Sequence, residues 1–199
     1  MPSALEAVYP KNSDIGGKAE RLVREGKLLR MRRGLYVVSP RISGLRLSDF
    51  VIANHIYGPS YISMQTALRF YGLIPEAVYG VMSVTIKNSK SFTNSLGLFK
   101  YTHASDAYYP IGITNGEEEG AYFLIATPEK ALCDLIVFTP GLNLRYRKEI
   151  IEYLEEDLRI DIDDIMRLDV DLLHRIAQTS RKKTTINALI KIIEDGRNV

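Results

Sequence analysis

Lys18, Arg21, Arg24, Lys27, Arg30, Arg32 and Arg33 follow one another at intervals of one to three residues. Between Lys18 and Arg46 the chain carries nine Lys or Arg against two Glu, a local balance of +7. Ammonium and guanidinium groups at this density neutralise phosphates, and the planar guanidinium can bind one bidentately. Between Ile151 and Arg175 nine Asp or Glu stand against three Arg, a balance of −6. The formal net charge of +2 therefore hides a basic front and an acidic rear, and such segregation points to a polyanion partner for one end. A charge run is commonly no more than a solvated face. Here the bases fall on two consecutive elements with almost no acidic partners, which makes the seven residues a candidate DNA-binding set.

Other residue types offer little chemistry. His55, His103 and His174 lie far apart, and none has a second ligand at i+3 or i+4 of one helix, so zinc is not expected. Cys133, between Leu132 and Asp134, reads as a packed thiol with no basic neighbour to activate it. "GGK" at 16–18 would suit a phosphate loop, but Asn12 stands where the first glycine belongs and Ala19 where a hydroxyl should bind magnesium. A metal-dependent nuclease needs carboxylates on strand ends, and "SVTIK" offers none. Glu129 and Lys130 read as first-turn helix residues. Asp161, Asp163 and Asp164 lack the glycine and distal glutamate of a calcium loop and read as caps and solvated acids. No enzyme, cofactor or metal is expected.

The elements that would position the bases follow from local signals. "SALE" at 3–6 has capping-box spacing for a short helix that Pro10 ends. A helix is predicted from Asp14 to Glu25, with Gly26 just past its end. "KLLRM" and "LYVV" read as strands joined by a turn at Arg32, Arg33 and Gly34. Helix then basic hairpin is the order found in the second half of a winged helix-turn-helix, where the helix enters the major groove and the wing rides on the backbone. "SPRISGLRL" at 39–47 reads as a linker. Ser48 and Ser63 are placed to cap helices that end before Gly58 and at Gly72, with "SYIS" a short strand between them.

Further on, "YGVMSVTIK", "LGLFKYTH", "YPIGIT" and "AYFLIA" are strand-like, with "NGEEEG" at 115–120 a hairpin loop; together they predict an antiparallel meander. Thr127 and Pro128 open a helix, and four helical segments with polar outer faces follow. The expected fold class is α+β: a reduced winged-helix module over 1–46, reduced because only 26 residues precede Lys27, then a mixed domain over 47–199 with an antiparallel sheet and C-terminal helices. A length of 199 residues and 46% apolar content suit such a chain. The lack of a long apolar run, of a signal-like start and of a second cysteine leads us to expect a cytoplasmic protein without membrane association.

Three segments also carry a family resemblance: "GKLLRMRRGLYVV", "YISMQTALRFYGLI" and "YFLIATPEKALCDLI". In this order they resemble the AbiEi family of bacterial antitoxins, from about Lys18 to the helices near Leu154. The shared features are the hairpin ending in Gly34, Leu35 and Tyr36, the Ser-led helix from Ser63 to Leu73, and the Pro-Glu-Lys-Ala-Leu helix from Pro128 to Leu132. The resemblance implies the antitoxin of a type IV (abortive infection) toxin–antitoxin pair. Such a protein represses its own operon by binding double-stranded promoter DNA and opposes a nucleotidyltransferase-like toxin without a stable complex. The alternative is a protein-interaction module that no longer binds DNA and contacts a toxin or another partner.

Overall fold

The computed structural model describes residues 15–76 and 79–197. The short helix expected to begin at the 3–6 capping box and to end at Pro10, and the expected helix start at Asp14, lie outside them. The chain divides into two compact units, one made of residues up to 47 together with 94–96, the other of the remainder.

The first unit opens with α1 (Ile15–Arg24). Gly26, at φ 69°, donates its N–H to the Val23 carbonyl, and Lys27 donates to that of Leu22. These two bonds form the Schellman stop, which needs a left-handed residue that glycine takes without strain. Strands β1 (Leu28–Arg32) and β2 (Leu35–Val38) then pair antiparallel, Leu28 opposite Val38 and Arg30 opposite Tyr36. The register shifts between Arg30 and Arg32; Arg32, expected in the turn, instead ends β1 opposite Leu35, and the turn is Arg33 with Gly34 at φ 78°. The segment 39–47 is not a plain linker. Ser39 accepts a hydrogen bond from the Arg41 N–H, Pro40 opens a one-turn helix α2 (Pro40–Ser43), and Gly44 closes it in the left-handed region. Ser, Pro and Gly are loop residues by composition, but in this order they are also the cap, first residue and stop of a helix.

The second unit is a mixed α+β body. Ser48 caps α3 (Asp49–Ile56) through the Val51 N–H; β3 (Ser60–Ile62) and α4 (Met64–Phe70) follow. Strands β4 (Val81–Thr85), β5 (Lys90–Asn94), β6 (Gly97–His103), β7 (Ile113–Glu118) and β8 (Ala121–Ala126) complete a six-stranded sheet with β3. Its order is β5-β6-β4-β3-β8-β7. The segments 81–85 and 121–126 are strands, as their two-residue spacing predicts. The antiparallel meander is corrected: β4 pairs parallel with β6, and β3 parallel with β8, while β3–β4 and β7–β8 are antiparallel. A meander requires consecutive strands to be neighbours. Here the polar β5, which carries no strand signal in its sequence, takes the edge, and the chain turns back to lay β6 between β5 and β4. The connection 104–112 then carries the chain to the opposite edge, where β7 forms.

"NGEEEG" is also corrected. Residues 115–118 continue β7, and only Glu119 and Gly120 turn, both at positive φ (53° and 79°), as a two-residue hairpin of this twist requires. Gly116 lies inside the strand because the Phe123 ring covers it; a Cβ there would sit 2.4 Å from Phe123 Cε2. Phe123 in turn meets Phe50 and Phe70 edge to face. Beside the start of β3, the Asn54 side chain stands in for a strand: its Oδ1 accepts from Leu124 N–H (2.7 Å) and its Nδ2 donates to the Leu124 carbonyl (3.3 Å).

Helix α5 (Pro128–Phe138) is buried along Glu129–Val137. After it come α6 (Arg147–Glu152), a π-helical turn (Tyr153–Asp157), α7 (Ile162–Met166), α8 (Val170–Thr179) and α9 (Lys183–Arg197). Lys182 Nζ closes the end of α5 by donating to the carbonyls of Ile136 (2.7 Å) and Leu142 (2.6 Å). Among the described residues no helix is long and apolar enough to cross a membrane.

Replacing Gly116 by Ala should force the Phe123 ring out of the aromatic cluster and cost about 1–3 kcal/mol of stability. Urea unfolding checks this, and Phe123→Leu in the same chain should recover part of the loss; a Gly116→Ala variant as stable as the parent would contradict the close approach.

Candidate functional site

The seven bases predicted from sequence all belong to the first unit. Arg21, Arg24, Lys27, Arg30, Arg32 and Arg33 are exposed, and Lys18 is half-buried. Arg30 and Arg32 alternate with the buried Met31, so β1 turns its apolar side inward and its guanidinium side outward. Arg33 sits in the turn beside them. One carboxylate serves two of the bases: Glu25 lies 2.8 Å from Lys27 Nζ and 3.6 Å from Arg21 Nε. The Lys27 hydrogen bond, with Coulombic help from Lys27, Arg21 and Arg24, holds the Glu25 carboxyl below its ordinary value. Arg32 folds one N–H back onto the Arg33 carbonyl (3.3 Å). Exposed pairs of this kind contribute little to stability and exchange readily for other partners.

The second unit holds a different polar cluster that sequence reasoning missed. Lys130 and Asp134, one turn apart on α5, are both 0% exposed. Asp134 Oδ2 accepts from Ser63 Oγ (2.6 Å) and from the Tyr61 hydroxyl (3.0 Å). Lys130 Nζ donates to the Tyr108 carbonyl (2.9 Å) and stands 3.1 Å above the centroid of the Tyr108 ring. Its distance to Asp134 Oδ1 is 3.4 Å, an ion pair without hydrogen-bond geometry; the buried Tyr108 hydroxyl is electrostatically coupled to the same carboxylate, but neither it nor Oδ1 makes a hydrogen bond of good geometry. Burial pushes the Lys130 ammonium down and the Asp134 carboxyl up, and each charge opposes the shift of the other.

Local structure explains how the cluster is assembled. Ser63 was expected to cap α4, and it occupies that position but makes no cap bond; its hydroxyl is committed to Asp134 instead. The chain passes from β3 into α4 through Met64 at φ 53°, a left-handed conformation that a non-glycine residue adopts only when its surroundings impose it. Gly112, at φ 73°, leaves space beside Lys130; a Cβ there would lie 2.8 Å from Lys130 Cβ. A serine 2.6 Å from a carboxylate and next to a lysine has the parts of an activated nucleophile. Ser63, Asp134 and Lys130 are each 0% exposed, however, so the three groups lie away from solvent. The cluster ties together β3, α5 and the crossing connection 104–112.

The remaining candidates are dispersed. Cys133 is fully buried, and its thiol is pushed far up by burial. Among the described residues no three His, Cys, Asp or Glu converge as metal ligands. Asp161 and Asp169 cap α7 and α8. Glu129 Oε1 accepts from the Asp169 N–H (3.0 Å), tying the start of α5 to the start of α8. The sequence did hold a signal for the buried pair: Lys130 and Asp134 are four apart in a helix whose other residues from Ala131 to Phe138 are apolar. At that spacing each can neutralise the other.

Asp134→Ala and Lys130→Met should each lose about 3–5 kcal/mol, since each strands a buried charge. The double variant Lys130→Met/Asp134→Leu should lose clearly less than the two single losses added. Strict additivity in chemical denaturation would show that the pair is not coupled.

Burial also raises the hydroxyls of Tyr61 and Tyr108 well above the ordinary value, and that of Tyr153 to about 12 from 10.0. The native state thus keeps these protons longer than the unfolded chain does. Stability should fall as pH rises between about 10 and 12, by roughly 1.4 kcal/mol per pH unit for each such tyrosine. In a spectrophotometric titration of the 12 tyrosines, a late class should ionise together with unfolding; a single step near pH 10 with the fold intact would contradict this.

The chain matches no model of a known protein family, and no curated protein sequence matches it.

Proposed function

We propose that this protein is an AbiEi-type antitoxin and DNA-binding autorepressor that opposes a nucleotidyltransferase-like toxin. The observation that carries the reading is the exposed basic surface of the first unit, on two consecutive elements with Glu25 as their close acidic neighbour. In this reading α1 and the β1–β2 hairpin form the reduced winged-helix module. Lys18, Arg21, Arg24, Lys27, Arg30, Arg32 and Arg33 contact phosphates of promoter DNA and set the orientation of the module, while sequence is read by whatever reaches the base edges. The second unit carries the neutralising activity. The three-segment family resemblance supports it.

Gel shifts with DNA from upstream of the gene test the first half. If about half of the seven bases meet phosphates, log K against log salt should have a slope of roughly −3 to −4 per protomer. Arg32→Glu/Arg33→Glu should abolish the shift with stability unchanged, since both side chains are exposed, one at the end of β1 and one in the turn. An unaltered shift would move the DNA surface elsewhere, and no shift with any upstream DNA would favour the interaction-module alternative. For the second half, the toxin gene beside this one is expressed from a promoter that the protein does not repress. The full-length Arg32→Glu/Arg33→Glu variant should still restore growth; failure to do so would assign neutralisation to nucleic-acid binding.

A further inference from the structure

A small pocket of about 240 Å³ opens in the second unit where the crossing connection meets the ends of α5 and α8. Its apolar wall is made by Tyr108 and Phe138, whose rings meet edge to face at 5.8 Å and 90°. Arg181 lies over that wall, with its guanidinium carbon 5.4 Å from the Phe138 centroid. One Nη2 hydrogen bond runs to the Val137 carbonyl (2.8 Å), and the exposed guanidinium, which lines the pocket, has further N–H donors beyond that bond. His103 is held from behind, its Nδ1 3.1 Å from the Lys87 carbonyl. Ser105 and Thr179 add hydroxyls, and no carboxylate lines the pocket.

We propose that this pocket binds a small aromatic carboxylate, its ring against Tyr108 and Phe138 and its carboxylate on Arg181. Volume decides the size: drug-sized ligands take pockets of roughly 300–1,000 Å³, so this one suits a single ring and not a nucleotide. Charge decides the polar end. A guanidinium tethered by one hydrogen bond and held 5.4 Å from an aromatic centroid can meet a planar anion bidentately, and no carboxylate among the lining residues competes for it. The site also reaches the core, because the ring of Tyr108 that forms its wall carries Lys130 Nζ 3.1 Å above its centroid. Ligand binding therefore stabilises the second unit through the element that the buried pair holds. The inference does not depend on DNA binding.

The test is calorimetric titration of the full chain with benzoate, benzyl alcohol and acetate. Single-ring acids in a site of this size should bind with a Kd on the order of a millimolar. Benzyl alcohol, which lacks the charge, and acetate, which lacks the ring, should each bind at least about tenfold more weakly. Ser105→Trp places a bulky side chain at an exposed rim position and should abolish benzoate binding with an unchanged melting temperature. Arg181→Gln should weaken benzoate about tenfold or more while leaving benzyl alcohol unaffected. No saturable benzoate binding would overturn the proposal, as would equal binding of benzyl alcohol or full binding in both variants.

Discussion

Lys130 and Asp134 face each other on α5 without access to water, and neither charge is tolerable there alone. Desolvating an ion costs several kcal/mol even after relaxation, and the attraction of one partner offsets this only when further hydrogen bonds are present. Those bonds come from elsewhere in the chain. Ser63 and Tyr61 reach Asp134 from the end of β3, and the Tyr108 carbonyl reaches Lys130 from the connection between β6 and β7. The pair thus demands that strand, helix and crossing connection meet in one arrangement. The left-handed Met64 and the side-chain-free Gly112 are where the backbone accommodates that demand.

The same requirement gives the sheet its mixed character. A connection that must carry Tyr108 to Lys130 cannot be a tight hairpin, so the chain leaves β6 at one half of the sheet and returns as β7 at the far edge. Its passage under α5 packs Tyr108 against Phe138 and leaves the small pocket bordered by Arg181. Core and pocket therefore share one aromatic ring.

Charge is used in opposite ways in the two units. In the second it is buried, paired and geometrically fixed, which specifies structure. In the first it is exposed on α1 and the β1–β2 hairpin, where pairs such as Glu25 with Lys27 and Arg21 are held loosely by solvent-screened attraction. That difference in burial separates an exposed, screened charged surface from a structural cluster that holds similar residue types.

Short-range features were legible in the residues themselves. The Schellman stop at Gly26, the hairpin turning at Gly34 and the caps at Ser48 and Thr127 rest on contacts within a few residues; the strands 81–85 and 121–126 show in their two-residue spacing, although most of their pairing partners lie farther along the chain. The basic front needs no folding to be counted. Tertiary structure decided the rest. It made Ser63 a core hydrogen-bond donor instead of a cap, since a buried carboxylate 71 residues away outweighs a local N–H. It kept glycine inside β7 because the Phe123 ring occupies the space a side chain would need. It also set strand order, because β5, weak in sequence, is held at the sheet edge by its neighbour. The sequence by itself determined where elements start, stop and carry charge, because those depend on backbone conformation and nearby side chains. Which of them meet was decided only when distant polar groups had to be satisfied away from water.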